Sequence, residues 1–184
     1  LIYIALTIVC IAALVLAGMP LFDSLCHGFG TAGTGGFAIY NNGYAFYNSV
    51  PMEVITTVFM VLFGVNFTVY FRVITGNIKS AFKSSELFFY LGVVLVAMPG
   101  ASLSIIPSYG GSVGEAFRHG TFHVASLIST TGFSSTDFNA WPQLAKSLLM
   151  FVMITGACAG STAGGLKASR IVLILKKIKC EVNH

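Results

Sequence analysis

The sequence predicts an all-α integral membrane fold built from two repeated units. Each unit is a membrane span, a short helix, a glycine-bearing loop and a second span. Three observations carry this reading. The 184 residues are 55% hydrophobic and 9% charged, with a mean hydropathy of +0.84, whereas soluble domains carry roughly 25% charged residues. Charge-free runs occupy residues 1–22, 87–114 and 147–166, and about 20 apolar residues cross a bilayer core as a helix. Lastly, Thr34-Gly35-Gly36-Phe37 returns as Thr130-Thr131-Gly132-Phe133. His27 lies nine residues before Gly36 and His123 nine before Gly132, and the same offset carries Asn41 onto Asp137. A repeat of this kind outweighs any single motif.

Taken in order, Ile2 to Met19 is uncharged and rich in Ile, Leu, Val and Ala, a first span closed by Pro20. The chain opens inside this run with neither Met nor a basic leader, and reads as an internal stretch of a longer protein. Asp23 and Ser24 offer an N-cap for a helix over 24–32, which at about 1.5 Å per residue is too short to cross and can only dip and return. Gly33, Gly35 and Gly36 end it. Irregular backbone at membrane depth is tolerated only where protein buries it or water lines it. Residues 41–44 read as a surface turn, with Tyr40, Tyr44 and Tyr47 suiting an interfacial belt. Residues 52–71 form the second span, ending at Arg72, and a polar linker over 75–85 carries Lys79 and Lys83.

A third span starts at Leu87, with Pro99-Gly100 ending or bending it, and Tyr109 to Ser112 is a loop. Glu115 opens a second short helix reaching Ser129. Residues 134–142 return to the surface past Asp137 and Trp141, and 144–178 make a last helical stretch interrupted over 156–165. The units divide as 1–85 and 86–184.

The basic residues set the orientation. Arg72, Lys79 and Lys83 join the units, while Lys167, Arg170, Lys176, Lys177 and Lys179 close the second. Both groups fall on one side, which the positive-inside rule makes cytoplasmic, so both glycine-bearing loops open outward. A net charge of +4, with the basic residues falling mainly in these two groups beside the spans, is no nucleic-acid signal. Cys10, Cys26, Cys158 and Cys180 show no CxxC or metal spacing, and the three in apolar surroundings read as small packing residues.

A cation leaving water must be offered oxygens in place of its hydration shell, and loop carbonyls and Thr hydroxyls offer them without a trapping charge. Each short helix starts outside, near Asp23 or Glu115, so its partly negative C-terminus points at the loop. This arrangement favours a monovalent cation and opposes an anion. Asn41 and Asp137 fall at the outer mouth, where the carboxylate raises local cation concentration. His27 and His123, inside short apolar helices, read as neutral packing residues rather than ligands. The plainer alternative is a non-conducting bundle using Gly and Thr for helix packing.

Residues 156–165 read as a flexible break in the last helix, able to obstruct a path below the loops and move aside, or else as a static kink. Gly160 to Lys167 nearly matches the phosphate-binding GxxxxGK[ST], and a membrane nucleotide-binding enzyme is the remote alternative. Leu166 stands before the lysine, however, Ala168 follows it, and no βαβ context surrounds it.

Thr130-Thr131-Gly132-Phe133-Ser134 with Asp137, followed by Cys158-Ala159-Gly160-Ser161-Thr162-Ala163-Gly164-Gly165-Leu166-Lys167, resembles the TrkH/KtrB family of bacterial potassium transporters. Residues 27–37 resemble that family's preceding pore loop. The resemblance covers essentially the whole chain. It implies a potassium-channel-like pore of four membrane–pore–membrane units in one polypeptide, of which this chain is the second and third. It further implies an ion filter at Thr34, Gly35, Gly36 and Phe37 and at Thr130, Thr131, Gly132 and Phe133, holding K+ transiently, and a gating loop running from Gly156 and Ala157 through to Gly165. The expected activity is potassium uptake without covalent chemistry or cofactor, with a sodium-permeable or sodium-coupled relative as the alternative. The expected setting is a bacterial plasma membrane. The expected partners are the two remaining units, a second subunit in a homodimer, and a cytoplasmic nucleotide-binding regulator of TrkA or KtrA type. Gly33 stands where the family pattern leads one to expect a hydroxyl, so a side-chain oxygen is missing there while the carbonyl remains.

Overall fold

A computed structural model of the chain describes residues 1–77 and 84–182. Among these residues the regular structure is helical: α1 (Ile2–Leu16), α2 (Leu21–Ala32), α3 (Val50–Phe63), α4 (Phe67–Ile74), α5 (Ser85–Ile105), α6 (Val113–Ile128), α7 (Gln143–Thr155) and α8 (Ala168–Val182). Short 3-10 turns cover Gly43–Phe46, Ile106–Tyr109 and Phe138–Ala140. Lys79 and Lys83 lie outside the described residues.

α1 is apolar on every side, with Thr7, Cys10 and Leu14 inward and Ile4, Ile8 and Leu16 outward, the pattern of a helix with no aqueous face. It stops before Pro20. Gly18 takes φ +94°, Met19 N–H donates to Leu14 O (3.1 Å) and Gly18 N–H to Val15 O (2.9 Å), a glycine C-cap that satisfies the last carbonyls. α2 then begins at Leu21, earlier than the Asp23–Ser24 cap predicts. Pro20 occupies the N-cap, and Asp23 turns inward to accept the Tyr47 hydroxyl at 2.6 Å. The buried face of α2 runs Asp23, Ser24, His27, Gly28, Thr31 and Ala32. Gly28 allows the close approach to α1, since a Cβ there would stand 2.4 Å from Ile11 Cγ1.

The second span is broken, contrary to expectation. α3 and α4 meet at 88° across Gly64, Val65 and Asn66. The freed carbonyls are taken up elsewhere. Tyr90 Oη donates to Val61 O (2.9 Å), Tyr70 Oη to Leu62 O (2.8 Å) and Cys158 N–H to Gly64 O (3.0 Å). Asn66 caps α4 by accepting Thr68 N–H at 2.8 Å.

Pro99 does not end the third span. α5 continues through it to Ile105, and it is the one helix among the described residues long and apolar enough to cross a bilayer by itself. α1 and α7 are shorter, and the α3–α4 pair qualifies only if its two arms count as one span. Tyr44 also departs from expectation. It is fully buried rather than interfacial, with its hydroxyl 2.8 Å from Thr56 Oγ1.

Two apolar cores result. One lies between α5, α6 and α7, around Tyr90, Ile105, Ile128 and Val152. The other gathers α1, α2 and α3 around Leu14, Met60 and Phe63, and takes in Phe122, Ala125 and Phe133 from the later half of the chain. α6 therefore packs against both halves, with α5 on one side and α3 on the other.

Candidate functional site

The two short helices end at matching positions, Ala32 and Ile128, and the chain leaves each in the same way. Thr34 and Thr130 take φ +51° and +54°, and Gly36 and Gly132 take +68° and +88°. A left-handed threonine costs about 1–2 kcal/mol and persists only where its surroundings fix it. Two of the fixing hydrogen bonds recur at equivalent positions. Gly35 N–H donates to Gly30 O (2.8 Å) as Thr131 N–H does to Ser126 O (2.8 Å), and Gly33 N–H to Phe29 O (2.8 Å) as Ser129 N–H does to Ala125 O (3.1 Å).

The loops meet each other. A Cβ on Gly36 would stand 2.0 Å from Thr131 O and 3.2 Å from the carbonyl carbon of Gly132. Further along, Tyr44 N–H donates to Ser134 O at 3.0 Å. Phe133 is buried against Gly30 and the rings of Tyr44 (5.1 Å) and His27 (5.4 Å), whereas its counterpart Phe37 is 86% exposed.

Both histidines are core residues. His27 packs between Tyr44 (4.8 Å) and Phe133. His123 packs on Trp141 (4.9 Å), with its ring nitrogens 2.9 Å from His119 O and 3.2 Å from Thr136 O. Asn41 and Asp137 come together, with Asn42, Ser134 and Thr136, around one depression of about 370 Å³. Beside the first loop, burial and then the Asp23 carboxylate raise the Tyr47 phenol above its ordinary value.

Between α7 and α8 the chain is irregular over 156–167. It touches both loops through their threonines. Thr34 Oγ1 donates to Thr162 O at 3.3 Å, and Gly164 N–H donates to Thr130 Oγ1 at 2.6 Å. The segment closes on itself where Gly156 meets Gly165, since a Cβ on Gly165 would stand 2.9 Å from Gly156 Cα. Further tethers hold it to α3, α4 and α5: Cys158 N–H to Gly64 O, Phe67 N–H to Gly160 O (3.1 Å), and Ala159 N–H to the Glu86 carboxylate. Lys167, on which a nucleotide reading would depend, donates its ammonium to Ala163 O within the same segment.

Loops 34–37 and 130–133 thus touch each other and the segment 156–165, while Asn41 and Asp137 line the depression beside Ser134. Gly64, Asn66 and Glu86 were not foreseen. Gly followed two residues later by Asn, inside an apolar run, is a helix-stop and helix-start signal, and Glu86 is the only acidic residue at the start of α5.

The family model described as "TrkH: Cation transport protein" matches residues 1–95 and 94–184. The chain is 32% identical over 183 residues to the Trk system potassium uptake protein TrkG of Escherichia coli K12, covering 99% of this chain and 38% of that protein. It is 34% identical over 186 residues to TrkH of Halomonas elongata, covering 98% and 38%. The crystal structure of the potassium transporter TrkH from Vibrio parahaemolyticus is similar with a TM-score of 0.91 at 32% identity, over 99% of this chain and 40% of that one. The chain spans about two fifths of the length of the curated relatives it matches.

Proposed function

The chain belongs to the TrkH family of cation transport proteins, transporters rather than enzymes, and from that premise we propose that it supplies two pore-lining units of a potassium uptake protein. Residues 1–85 form one unit and 86–184 the other. Their loops, 34–37 and 130–133, are two sides of an ion filter. The observation that carries this reading is that Thr34 and Thr130, at equivalent corners of the two loops, both hydrogen-bond the segment 156–165. A glycine-rich segment reaching both loops at once lies across the path that the two loops line.

The chemistry follows from this placement. Potassium loses water to carbonyl and hydroxyl oxygens at Thr34, Gly35, Gly36, Thr130, Thr131 and Gly132, which carry no fixed charge to trap it. The C-termini of α2 and α6 end at the loops and add a partly negative field. Asp137 and Asn41 draw cations to the outer mouth. Segment 156–165 is the gate. Two hydroxyl contacts hold it closed, and the facing glycines Gly156 and Gly165 let it swing without side-chain collision.

The proposal extends to the assembly. Two further units complete the ring around the pore, complete subunits pair as homodimers in a bacterial plasma membrane, and a cytoplasmic nucleotide-binding regulator of TrkA or KtrA type acts on the gate. Lys176, Lys177 and Lys179, exposed on α8, mark the cytoplasmic side.

Potassium uptake by the complete transporter, in cells lacking their own potassium transporters and with or without Gly132→Ser, tests the reading. Rescue of growth at low potassium that the substitution weakens or opens to sodium is expected. Rescue indifferent to it removes the filter from this loop, and a preference for sodium in the unaltered protein replaces potassium as the substrate.

A further inference from the structure

Glu53 stands in the first turn of α3, only 2% exposed. Arg118 of α6 reaches it with a bidentate fork: Nε donates to Oε2 at 2.8 Å and Nη2 to Oε1 at 2.7 Å, while Nη2 also reaches Asn48 Oδ1 at 3.0 Å. The Arg118 side chain is 16% exposed. The next residue, His119, lies 4.0 Å from the same carboxylate and 2.9 Å from Ser135 Oγ.

Such a pair is poor adhesive. Removing two charges from water offsets much of their attraction, and well-packed apolar side chains do as well. α3 and α6 already share an apolar core through Phe59, Phe63, Phe122 and Ala125. What a two-pronged fork adds is a fixed rotation and axial position of α6 on α3.

That position is passed on to the second loop. Four successive residues beyond Gly132 are tied down, three of them to α6. Ser126 Oγ donates to Phe133 O (2.7 Å), His119 meets Ser135, and His123 Nε2 lies 3.2 Å from Thr136 O, while Ser134 O accepts Tyr44 N–H. Any shift of α6 therefore carries the limb 133–136 with it, and with that limb Thr131 and Gly132, which lie against Gly36.

We propose that Glu53 and Arg118 are positioning residues for ion selectivity, fixing α6 so that the second loop keeps its separation from the first. The proposal rests on the filter reading above. Discrimination between alkali ions depends on the placement of oxygens around the ion, so a displacement of α6 that leaves the fold intact changes which ion passes.

The test uses the complete transporter in proteoliposomes, with Glu53→Gln, Arg118→Lys and the reversal Glu53→Arg with Arg118→Glu, and Gly132→Ser alongside. Potassium, rubidium and sodium fluxes are compared at measured protein abundance. Each single change is expected to lower the potassium-to-sodium flux ratio roughly three- to thirtyfold, with partial recovery in the reversal. If Glu53→Gln fails to reach the membrane, Glu53→Asp, which withdraws the charge by one methylene, carries the same comparison. A ratio unchanged in the single variants while Gly132→Ser alters it overturns the positioning role and leaves the filter standing. A ratio that neither the pair nor Gly132→Ser moves overturns the filter reading and this inference together.

Discussion

A Cβ placed on Gly36 would stand 2.0 Å from the carbonyl oxygen of Thr131, so the two loops meet backbone to backbone with no room for a side chain. Gly36 also has φ +68°, a conformation that costs other residues about 1–2 kcal/mol. Gly36→Ala must push the loops apart as well as strain its own backbone. Gly35→Ala does neither, meeting the Phe37 ring at 3.6 Å and the Gly30 backbone at 3.9 Å, both ordinary contacts. Gly36→Ala is expected to lose about tenfold or more of the potassium-over-sodium preference, and Gly35→Ala to stay within about twofold. Ion-competition uptake at matched membrane abundance reads the difference. Equal effects of the two changes would discard the close approach as the cause.

The two threonine contacts to the proposed gate differ in length, 2.6 Å at Thr130 and 3.3 Å at Thr34. A hydrogen bond contributes about 0.5–1.5 kcal/mol net, which corresponds to roughly a two- to tenfold change in an open–closed equilibrium. Thr130→Val is expected to raise flux by about that factor and Thr34→Val by less, with Thr130→Ser near the unaltered protein. Single-channel open probability or tracer efflux measures it. Lowered flux in Thr130→Val, with the protein folded, would mean that the hydroxyl serves the ion rather than the gate.

The loops were legible in the sequence because their chemistry is local. Thr and Gly at fixed spacing need only their own backbone angles to declare themselves, and the left-handed Thr34 and Thr130 recur with Gly36 and Gly132. What stayed hidden depends on partners far along the chain. The break at Gly64 is made stable by Tyr90 and Cys158, neither of which a hydropathy window over 52–71 can register. The start of α2 was misplaced because Asp23 resembles a cap, yet its partner is Tyr47. Tyr44 suits an interface by composition, and only Thr56 shows why its hydroxyl can be buried. Glu53 and Arg118 lie 65 residues apart, too far for either to announce the other.

Gly64 and Asn66 should carry stability rather than selectivity. A Cβ on Gly64 would stand 2.3 Å from Tyr90 Oη and 3.2 Å from Ala157 Cβ, the first being the hydroxyl that satisfies Val61 O. Gly64→Ala is expected to cost about 1–3 kcal/mol by overpacking, and Asn66→Ala about 1 kcal/mol through the lost cap of α4. Thermal unfolding of the purified complete transporter, followed by loss of the monodisperse peak, ranks them. A potassium-to-sodium ratio that falls with either change, at unaltered thermal stability, would instead connect the elbow to the filter.

Glu86 also holds the proposed gate, accepting the N–H of Ala159 from the first turn of α5. A hydrogen bond to a carboxylate is worth about 1.5–3 kcal/mol, more than either threonine contact, so this tether sets how far the segment 156–165 opens. Glu86→Gln keeps an acceptor oxygen and loses the charge, while Glu86→Ala loses both. Deuterium uptake over 156–165 is expected to rise in the order unaltered, Glu86→Gln, Glu86→Ala, with potassium flux rising in the same order. Uptake that rises without any change in flux would leave the tether structural and place the rate-limiting barrier at the threonine contacts, because a segment freed at Glu86 but still held at Thr34 and Thr130 would remain across the proposed path.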